Sequence, residues 1–444
     1  MATGPPPPQT CAIIGAGPAG LAAALALRKL TSIQPTIYEA RPSPSTMGGA
    51  INMGANALDL LRYLGINGAV IPGNRTNKME IFSLRTGSKL GEMPFTAGPQ
   101  GEPARRMLRA DLQNVMLARA KQLDIPIQYS SRVASVHDSE AESEPDMQDP
   151  KSRGSPQVTI TFTNSSTISA DFVLGCDGIF SAVRRTYVQP DRHPIYTGSG
   201  SGVAAAYTVL RTSRFPSTLP THSIVAGTST RGWSLMSYCD AAQTQIFAAV
   251  VLPLPRALPE TRKGQTQQDW QIYRAGEDKN HNKTNIVNEF RSRFTDAKVD
   301  CVRDLAAIEG LDQDLYVYPL LQLPREGRWC KGRVLLLGDA AHAMPPQGEG
   351  TSFALEDAVL LARIFATYPC HPIDTIFTTY EKTRRPRIEL AWKETNNRSD
   401  DARPSSWIGQ IFFGWIICLF LWFRGGSFGN RFFYDVRQEP ITLI

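Results

Sequence analysis

The chain has 444 residues, of which 42% are hydrophobic and 20% charged, so it can form a large core and is not a disordered protein. Its formal net charge is +6, and because the basic residues are scattered we predict no nucleic-acid partner. The cysteines form no CxxC pair and the histidines show no ligand spacing, which indicates reduced thiols and predicts no metal site.

The N-terminal segments predict the start of a nucleotide-binding domain. Residues 1–10 are rich in proline and contain no apolar signal sequence, so we predict a disordered lead. The stretch CAIIGAGPAGLAAALALRKL (residues 11–30) predicts a strand, a glycine turn and a helix, with Pro18 in the first helical turn. The stretch PTIYEA (residues 35–40) predicts the next strand.

The glycine turn fits the pattern G-x-G-x-x-G at Gly15, Gly17 and Gly20. Gly15 permits the tight turn, Gly17 lets the backbone approach a pyrophosphate, and Gly20 lets the helix pack closely on the strand. The helix N-terminus directs N–H groups at the phosphates. Glu39 follows Gly20 by 19 residues, the distance expected of a carboxylate that binds ribose hydroxyls. The pattern predicts a bound dinucleotide but does not distinguish FAD from NAD.

The middle of the chain changes from helical to alternating patterns. Apolar residues spaced three and four apart predict amphipathic helices at 54–65 and 109–123. The acidic segment 138–157 lies between two strand patterns and predicts a flexible, solvated hairpin insert. Alternating runs from about 186 to 325 predict an antiparallel sheet that includes one helix at 284–294.

A second unit of strand, glycine turn and helix is predicted in GRVLLLGDAAHAMPPQGEG, residues 332–350. Its turn begins at Gly338, 323 residues after Gly15. A flavin dinucleotide extends beyond one turn, and a second unit can hold its ribityl chain and ring. Asp339 can accept hydrogen bonds from ribityl hydroxyls, and the helix that begins near Thr351 can direct N–H groups at the flavin N1–C2=O edge. Because nicotinamide needs no second clamp, the paired turns favour FAD.

These patterns predict one nucleotide domain that is split around a β-rich insert. The predicted parts are, in chain order, a lead at 1–10, a first FAD-binding part at 11–185, a substrate domain at 186–325, a second FAD-binding part at 326–400 and a tail at 404–444.

Four stretches carry a family resemblance: GAGPAG…YEA, RADL after an arginine-rich turn, DGIFSAVR, and GRVLLLGDAAHAMPP…GEG…ALEDA. Together they span residues 11–358, and with them the chain resembles the single-component FAD-dependent monooxygenases of the aromatic-hydroxylase type, which are often found in microbial and fungal secondary metabolism. The expected fold class is α/β, with a Rossmann-like FAD-binding domain split around a mainly antiparallel β substrate domain and an apolar C-terminal helix.

The resemblance also implies roles for single residues, although it assigns no catalytic side chain. Glu39 would bind the adenosine ribose, and Arg109 would contact FAD near its pyrophosphate and ribityl groups. Asp177 and Gly178 would contact both FAD and NAD(P)H, and His342 is expected to be structural. The residues expected along the ribityl chain and the flavin ring are Gly49, Ala50, Asp339, Gly348, Gly350 and Thr351.

Two departures from the family pattern bear on the substrate. Glu349 replaces the glutamine of a common Gly-Gln-Gly sequence, in a loop that is one residue shorter. Many members carry a Tyr-Arg pair where this chain has Tyr207 and Thr208, so an anionic clamp is not implied and a neutral, apolar substrate is expected. Tyr207, Trp233 and Tyr238 lie on predicted strands and are candidates for the substrate pocket, with core packing as the alternative.

The resemblance implies that NADPH or NADH reduces FAD, which then reacts with O2 to give a flavin C4a-hydroperoxide. The expected reaction is hydroxylation or epoxidation of a small lipophilic, electron-rich metabolite of aromatic, polyketide or terpenoid type, and Baeyer–Villiger oxidation stays open. The alternatives are a flavin oxidase or dehydrogenase without oxygen insertion, and a non-catalytic FAD-binding redox module.

One apolar stretch, WIGQIFFGWIICLFLWF (residues 407–423), lies near the C-terminus and contains no charge. As a helix it would be about 26 Å long, which reaches the lower limit for a membrane span. Tryptophans lie near both ends and Arg424 follows. We predict membrane association by spanning or by lying on the surface, with the catalytic part facing the cytoplasm. The alternative is a helix packed on the core of a soluble cytoplasmic protein, and the oligomeric state is not predicted.

Overall fold

A computed structural model describes most of the chain. The described residues are 6–45, 49–96, 102–139, 157–197, 203–229, 232–253, 282–311, 315–345, 350–399 and 434–444. The α-helices in these ranges are α1 (Pro18–Leu30), α2 (Ala55–Tyr63), α3 (Arg109–Gln122), α4 (Asn282–Phe294), α5 (Asp300–Ala307), α6 (Asp339–His342), α7 (Gly350–Thr367) and α8 (Ile373–Ser399).

The strands belong to five sheets within the described residues. In chain order they are β1 (Thr10–Ile14), β2 (Gln34–Tyr38), β3 (Ala50–Met53), β4 (Asn74–Thr76), β5 (Lys78–Ser83), β6 (Lys89–Pro94), β7 (Ala104–Leu108), β8 (Ile127–Gln128), β9 (Val133–Asp138), β10 (Val158–Phe162), β11 (Thr167–Ala170), β12 (Phe172–Gly175), β13 (Ile195–Tyr196), β14 (Val203–Arg211), β15 (Ser223–Ser229), β16 (Gly232–Tyr238), β17 (Gln245–Pro253), β18 (Tyr316–Pro319), β19 (Leu321–Gln322), β20 (Cys330–Lys331) and β21 (Val334–Leu336).

The nucleotide domain is built on a six-stranded sheet with the order β20-β21-β12-β1-β2-β8. All neighbouring strands in it are parallel except β20 and β21, and helix α1 runs between β1 and β2. The apolar strands are buried, as expected for a parallel sheet that helices cover. Strand β21 lies directly beside β12, so the predicted return of the chain to the first domain after residue 332 is confirmed.

The structure describes the ends of the predicted hairpin insert at 138–157 and the end of the predicted disordered segment at 1–10. Strands β9 and β10 are antiparallel, and Ser139 N donates to Gln157 O over 3.3 Å, as expected for a hairpin. The intervening residues 140–156 of the predicted insert lie outside the described residues. At the N-terminus, the backbone N–H groups of Gln9 and Thr10 donate to Asp171 Oδ2. These hydrogen bonds order residues 9 and 10, so the predicted disordered segment 1–10 extends too far toward β1.

The second large sheet has the order β18-β14-β17-β16-β15-β5-β6. Its neighbouring strands are antiparallel except β15 and β5, which confirms a mainly antiparallel β domain. Strands β5 and β6 come from within the segment 11–185, so this sheet takes strands from both sides of the boundary at 186. The division of the chain at 185 and 325 stays a prediction.

The two faces of this second sheet have different coverings. Helices α4 and α5 pack on one face, where Phe290, Phe294 and Leu305 are buried in a continuous core with strand residues. The opposite face turns toward β3, β4 and β7, and its members include half-buried apolar side chains such as Trp233 and Val209. We call it the aromatic face, and it consists of Tyr207, Val209, Ile224, Trp233, Leu235, Cys239, Phe247 and Ala249.

Residues 434–444 pack on the nucleotide domain beside α7 and α8. Arg363 Nη1 donates to Val436 O over 2.6 Å and to Glu439 O over 3.0 Å. The Arg387 guanidinium lies 4.2 Å from the centre of the Tyr434 ring, and Val436 is fully buried. The predicted apolar helix at 407–423 lies outside the described residues. Among those that are described, no helix combines the length and the apolar character needed to cross a membrane.

Candidate functional site

The first glycine turn has the geometry that a bound pyrophosphate requires. Gly15 has φ +106°, and a Cβ atom there would lie 2.6 Å from the carbonyl oxygen of Cys176. A Cβ atom at Gly20 would overlap the carbonyl oxygen of Gly15, so α1 can pack on this turn only without a side chain. At Gly17 a Cβ atom would meet nothing within 4 Å, so the N-terminus of α1 opens onto free space. That space is where an anion would contact the helix N–H groups.

Two polar side chains hold this turn in place. Glu39 Oε2 accepts a hydrogen bond from Ala16 N over 2.8 Å, which brings the carboxylate at the end of β2 to the glycine turn. Gln113 on α3 is buried, and its Nε2 donates to Ala16 O over 2.9 Å. Glu39 was predicted here, whereas Gln113 was missed because a polar residue within an amphipathic helix gives no signal of a distant contact.

The second glycine turn packs directly on the first unit. Gly338 has φ +59°, and a Cβ atom there would lie 3.1 Å from Ala19 Cβ on α1 and 3.4 Å from Ala354 Cβ on α7. Strand β21 leads into this turn, and its carboxyl end lies at the same end of the sheet as the carboxyl ends of β1 and β12. The two turns that are far apart in the sequence are therefore neighbours at the carboxyl ends of parallel strands, where open α/β sheets bind their ligands.

Asp339 and the start of α7 are adjacent, as a site for a ribityl chain and a flavin ring requires. Asp339 is exposed, and its Oδ1 lies 3.8 Å from the position that a Cβ atom of Gly350 would take. Thr351 follows as a buried residue in the first turn of α7. Gly348 and Glu349 lie outside the described residues.

Asp177 and Gly178 lie at the end of β12, beside the first turn. Asp177 Oδ2 accepts hydrogen bonds from Ala182 N over 2.6 Å and from Val183 N over 3.3 Å. Its Oδ1 is buried and has no hydrogen-bond partner among the described residues. Burial raises the pKa of Asp177, although the hydrogen bonds to its carboxylate oppose the rise. Gly178 has φ +77° and faces open space, so this turn can donate and accept hydrogen bonds at a ligand.

Two buried arginines hold α6, which carries Asp339. Arg184 Nη1 donates to Ala340 O over 2.8 Å, and Arg192 Nη1 donates to Ala341 O over 2.9 Å. Burial lowers the pKa of each guanidinium to about 10. Arg184 belongs to the DGIFSAVR stretch, but its contact with a helix more than 150 residues away was not predicted. These two residues therefore hold the second turn through hydrogen bonds to its backbone carbonyls.

A buried ionic network between α6, α7 and α8 supports the second turn. Asp357 accepts hydrogen bonds from Gly338 N over 2.9 Å, His342 Nε2 over 2.7 Å and Arg384 Nε over 2.7 Å. Arg384 also pairs with Glu356 at 2.8 Å, and all three charged residues are fully buried. Burial alone would raise the pKa of Asp357, but His342 and Arg384 outweigh it and hold this pKa well below its ordinary value. The place of His342 in the network is in keeping with a structural role.

The nucleotide domain approaches the second large sheet at three residues expected to contact FAD: Gly49 and Ala50, expected beside the flavin, and Arg109, expected near the pyrophosphate and ribityl groups. Arg109 begins α3, and its backbone N–H donates to Gly49 O over 3.1 Å. A Cβ atom at Gly49 would overlap the ring of Phe247, so the segment before β3 lies against the aromatic face. Ala50, the first residue of β3, packs with the same cluster. Arg109, Gly49 and Ala50 are therefore brought together.

The three candidate pocket aromatics do not share one face. Tyr207 and Trp233 belong to the aromatic face, whereas Tyr238 packs on the opposite side with α4 and α5. Side chains alternate along a strand, and positions 233 and 238 on β16 are an odd number of residues apart. The prediction that groups Tyr238 with the other two is therefore corrected. Thr208 also faces α4 and α5, where it borders a small space with Phe290.

The described residues fit an FAD molecule. The open N-terminus of α1 and the Glu39 carboxylate lie at the first turn, and the exposed Asp339 lies at the second. Asp177 Oδ1, a buried acceptor without a hydrogen-bond partner among the described residues, lies between the two turns. Such an acceptor is costly unless a ligand donor satisfies it. These features suit a long ligand with phosphates at one end and hydroxyl groups near its middle.

Comparisons with known proteins agree with this geometry. The family model described as FAD binding domain matches residues 9–297 and 324–395. The 6-hydroxynicotinate 3-monooxygenase of Bordetella bronchiseptica is 23% identical over 410 residues, which cover 88% of this chain and 93% of that protein. Hispidin-3-hydroxylase of Neonothopanus nambi is 25% identical over 403 residues, which cover 86% of each chain. The crystal structure of Klebsiella pneumoniae HpxO complexed with FAD and uric acid matches with a TM-score of 0.73 at 21% identity, over 96% of both chains.

Proposed function

The chain belongs to the FAD binding domain family and is an FAD-dependent monooxygenase, and on this premise we propose that it hydroxylates a small, electron-rich aromatic metabolite with NADPH or NADH and O2. The observation that carries the proposal is the contact between the two glycine turns, where Gly338 packs on Ala19 of α1. This contact brings together two segments more than 300 residues apart, as an elongated dinucleotide site would require.

The side chains of the site would bind and orient the cofactor. The N-terminus of α1 would hold the pyrophosphate, and Glu39 would bind the ribose of the adenosine. Asp339 would accept hydrogen bonds from the ribityl hydroxyls, and Asp177 Oδ1 would accept one from a cofactor group beside the first turn. Bound FAD supplies the redox and oxygen-transfer chemistry. The protein would orient the substrate ring on the aromatic face and exclude water from it.

The aromatic face favours a lipophilic ring as substrate. Trp233, Val209 and Ala249 are half-buried on it, whereas the residues on the helix-covered face are almost all fully buried. The names of the two similar enzymes indicate a hydroxynicotinate and hispidin as their substrates, and both compounds are small aromatic molecules. We propose a metabolite of this general kind, from secondary metabolism, with hydroxylation favoured over epoxidation.

Isotopically labelled dioxygen tests this function. Purified protein is incubated with NADPH, labelled O2 and a panel of small aromatic metabolites, and the products are analysed by mass spectrometry. The expected result is a product that gains one labelled oxygen atom, with no such product when NADPH is omitted. Label found only in water or peroxide would instead identify an oxidase, and a purified protein that binds no FAD would refute the site itself.

We also propose that residues 407–423 attach the protein to a membrane surface, with the catalytic part facing the cytoplasm. The proposal is supported by the uncharged sequence and by the positions of the segment's two flanks. Helix α8 reaches Ser399, and residues 434–444 pack on the same domain. A single crossing would leave these flanks on opposite sides of the bilayer, so attachment along the surface is favoured over a span.

Cell fractionation tests the attachment. The full chain is expected in the membrane fraction and in the soluble fraction only after detergent is added. A double substitution, Ile416→Asp with Ile417→Asp, is expected to release the protein without detergent because charged side chains are costly in the interface. If the wild-type chain stays in the supernatant, the segment instead packs on the core.

A further inference from the structure

Two arginines of α8 hold the first turn of α7. The centre of the Phe353 ring lies 5.7 Å from Cζ of Arg384 and 5.5 Å from Cζ of Arg387. Arg384 Nη2 also donates to the backbone oxygen of Phe353 over 3.1 Å. Helix α7 begins at Gly350, so Phe353 belongs to its first turn. The start of this helix, where the flavin ring is expected, is therefore fixed from the side of α8.

The Arg387 guanidinium lies among two aromatic rings and a carboxylate. Besides its contact with Phe353, its Cζ lies 4.2 Å from the centre of the Tyr434 ring. Its Nη2 donates to Glu356 Oε1 over 3.3 Å, and its Nε donates to Glu356 Oε2 over 3.4 Å. The Glu356 side chain is fully buried, whereas 23% of the Arg387 side chain is exposed. Because one partner is buried, water screens this pair less than it screens a surface pair.

The buried charges in the first half of α7 are balanced by those of α8. Glu356 and Asp357 supply two carboxylates, and Arg384 and Arg387 supply two guanidinium groups. With His342 neutral, these four charges cancel. Glu356 lies about 9 Å along the axis from the first residue of the helix, since each residue adds about 1.5 Å. A net charge at this position would act strongly on a ligand at the helix N-terminus.

This charge balance bears on the flavin because a helix N-terminus stabilises an anion. Reduced flavin carries negative charge at its N1–C2=O edge, which the start of α7 is expected to face. We propose that Arg387 is a positioning residue for bound FAD, which fixes the first turn of α7 through Phe353 and cancels the charge of Glu356, so that this helix favours the reduced flavin. The assignment rests on the FAD of the proposed function and adds a control of its reduction potential.

The test measures the reduction potential of the flavin in FAD-loaded protein by equilibrium with a reference dye. Arg387→Gln leaves two buried carboxylates against one guanidinium group. The equilibrium between oxidised and reduced flavin is expected to shift about tenfold toward the oxidised form, which lowers the two-electron potential by about 30 mV. Arg387→Lys keeps the positive charge and is expected to keep most of the wild-type potential. Flavin absorbance reports the FAD content of each variant.

Glu356→Gln is expected to change the potential in the opposite direction. It removes the negative charge of the same pair, so the potential is expected to rise above that of the wild type. The double variant, Arg387→Gln with Glu356→Gln, restores the balance and is expected to return toward the wild-type value. A role in packing alone would not produce shifts of opposite sign. Glu356→Gln also decides the question if Arg387→Gln does not fold.

Arg363→Gln is the matched control on the same helix. Arg363 lies about 20 Å along the axis from the first residue of α7, which is well beyond the screening length in ordinary salt. Its Nη1 donates to Val436 O and Glu439 O, so its substitution loosens the C-terminal segment that also contacts Arg387. The reduction potential of this variant is expected to equal that of the wild type.

Three results would overturn the assignment: unchanged potentials in Arg387→Gln and Glu356→Gln, shifts of the same sign in both, or an equal shift in Arg363→Gln. The potential is measured without substrate or turnover. A protein that shows the opposite shifts but inserts no labelled oxygen therefore refutes the proposed function and leaves this assignment standing. A protein that inserts labelled oxygen but lacks these shifts refutes the assignment alone.

Discussion

A Gly20→Ala variant is expected to bind FAD about a hundredfold more weakly than the wild type and to unfold at a lower temperature. The added Cβ atom would overlap the carbonyl oxygen of Gly15 and lie 3.2 Å from Ile13 Cγ2, so either the turn or α1 must move. Both movements disturb the N–H groups that are expected to hold the pyrophosphate. FAD titration by flavin fluorescence and thermal unfolding of the apoprotein measure the two effects.

Gly17→Ala is the matched control for this variant. Gly17 has φ −75° and ψ 178°, which alanine adopts freely, and its Cβ atom would meet nothing within 4 Å. The apoprotein should therefore unfold at the wild-type temperature, while its affinity for FAD falls because the methyl group occupies the space of the pyrophosphate. Wild-type FAD affinity in both variants would show that the dinucleotide does not bind at this turn.

Asp357→Ala is expected to reduce the free energy of unfolding by about 3–5 kcal/mol, the range for breaking a buried ion pair. The fully buried carboxylate accepts hydrogen bonds from Gly338 N, His342 and Arg384. Its removal leaves the Gly338 amide without an acceptor and the Arg384 charge with Glu356 as its remaining buried partner. Urea unfolding followed by circular dichroism measures the loss.

Glu92→Ala provides a contrast with Asp357→Ala. Glu92 lies 2.9 Å from Lys78 in an exposed ion cluster, and its hydrogen bonds to Lys89 and Lys78 lower its pKa to about 2. Because water screens such pairs, its substitution is expected to cost less than about 1 kcal/mol. A similar loss of stability in both variants would mean that burial does not determine the strength of the Asp357 network.

Acid titration gives a second readout for Asp357. The folded state lowers the pKa of this carboxyl, so its contribution to stability is complete above the unfolded value of about 4 and is lost as the pH falls below it. Asp357→Asn cannot titrate, and its free energy of unfolding is expected to fall less steeply in this acid range. Parallel curves for the wild type and Asp357→Asn would contradict the assigned pKa shift.

The sequence predicted the parts of the fold whose signals are local. The glycine spacing at Gly15, Gly17 and Gly20 predicted the turn and helix that the structure contains, since the positive φ of Gly15 and the close approach of Gly20 to Gly15 both belong to this short segment. Alternating apolar runs likewise predicted β14, β16 and β17. The second turn was predicted from its sequence of strand, glycine turn and helix. Its proximity to the first turn was predicted because a flavin dinucleotide extends beyond one turn.

Contacts between distant segments were harder to predict. Strands β5 and β6 carry several charged residues, which pair with one another at the surface and obscure the strand pattern. The hydrogen bonds of Asp357 with His342 and Arg384 join three helices, and no periodicity encodes such a network. The side of β16 on which Tyr238 lies could have been predicted from the sequence. Side chains alternate along a strand, and Tyr238 is five residues from Trp233, so the two face opposite sides.

The strand order of the nucleotide domain also governs how the chain can fold during synthesis. Strand β12 ends at Gly175, but its neighbour β21 begins only at Val334. Until the ribosome has released that later segment, β12 remains an apolar edge strand with unpaired backbone groups on one side. The second large sheet, whose strands end earlier, can pair first, so closure of the six-stranded sheet is expected to be a late step that depends on a long-range contact.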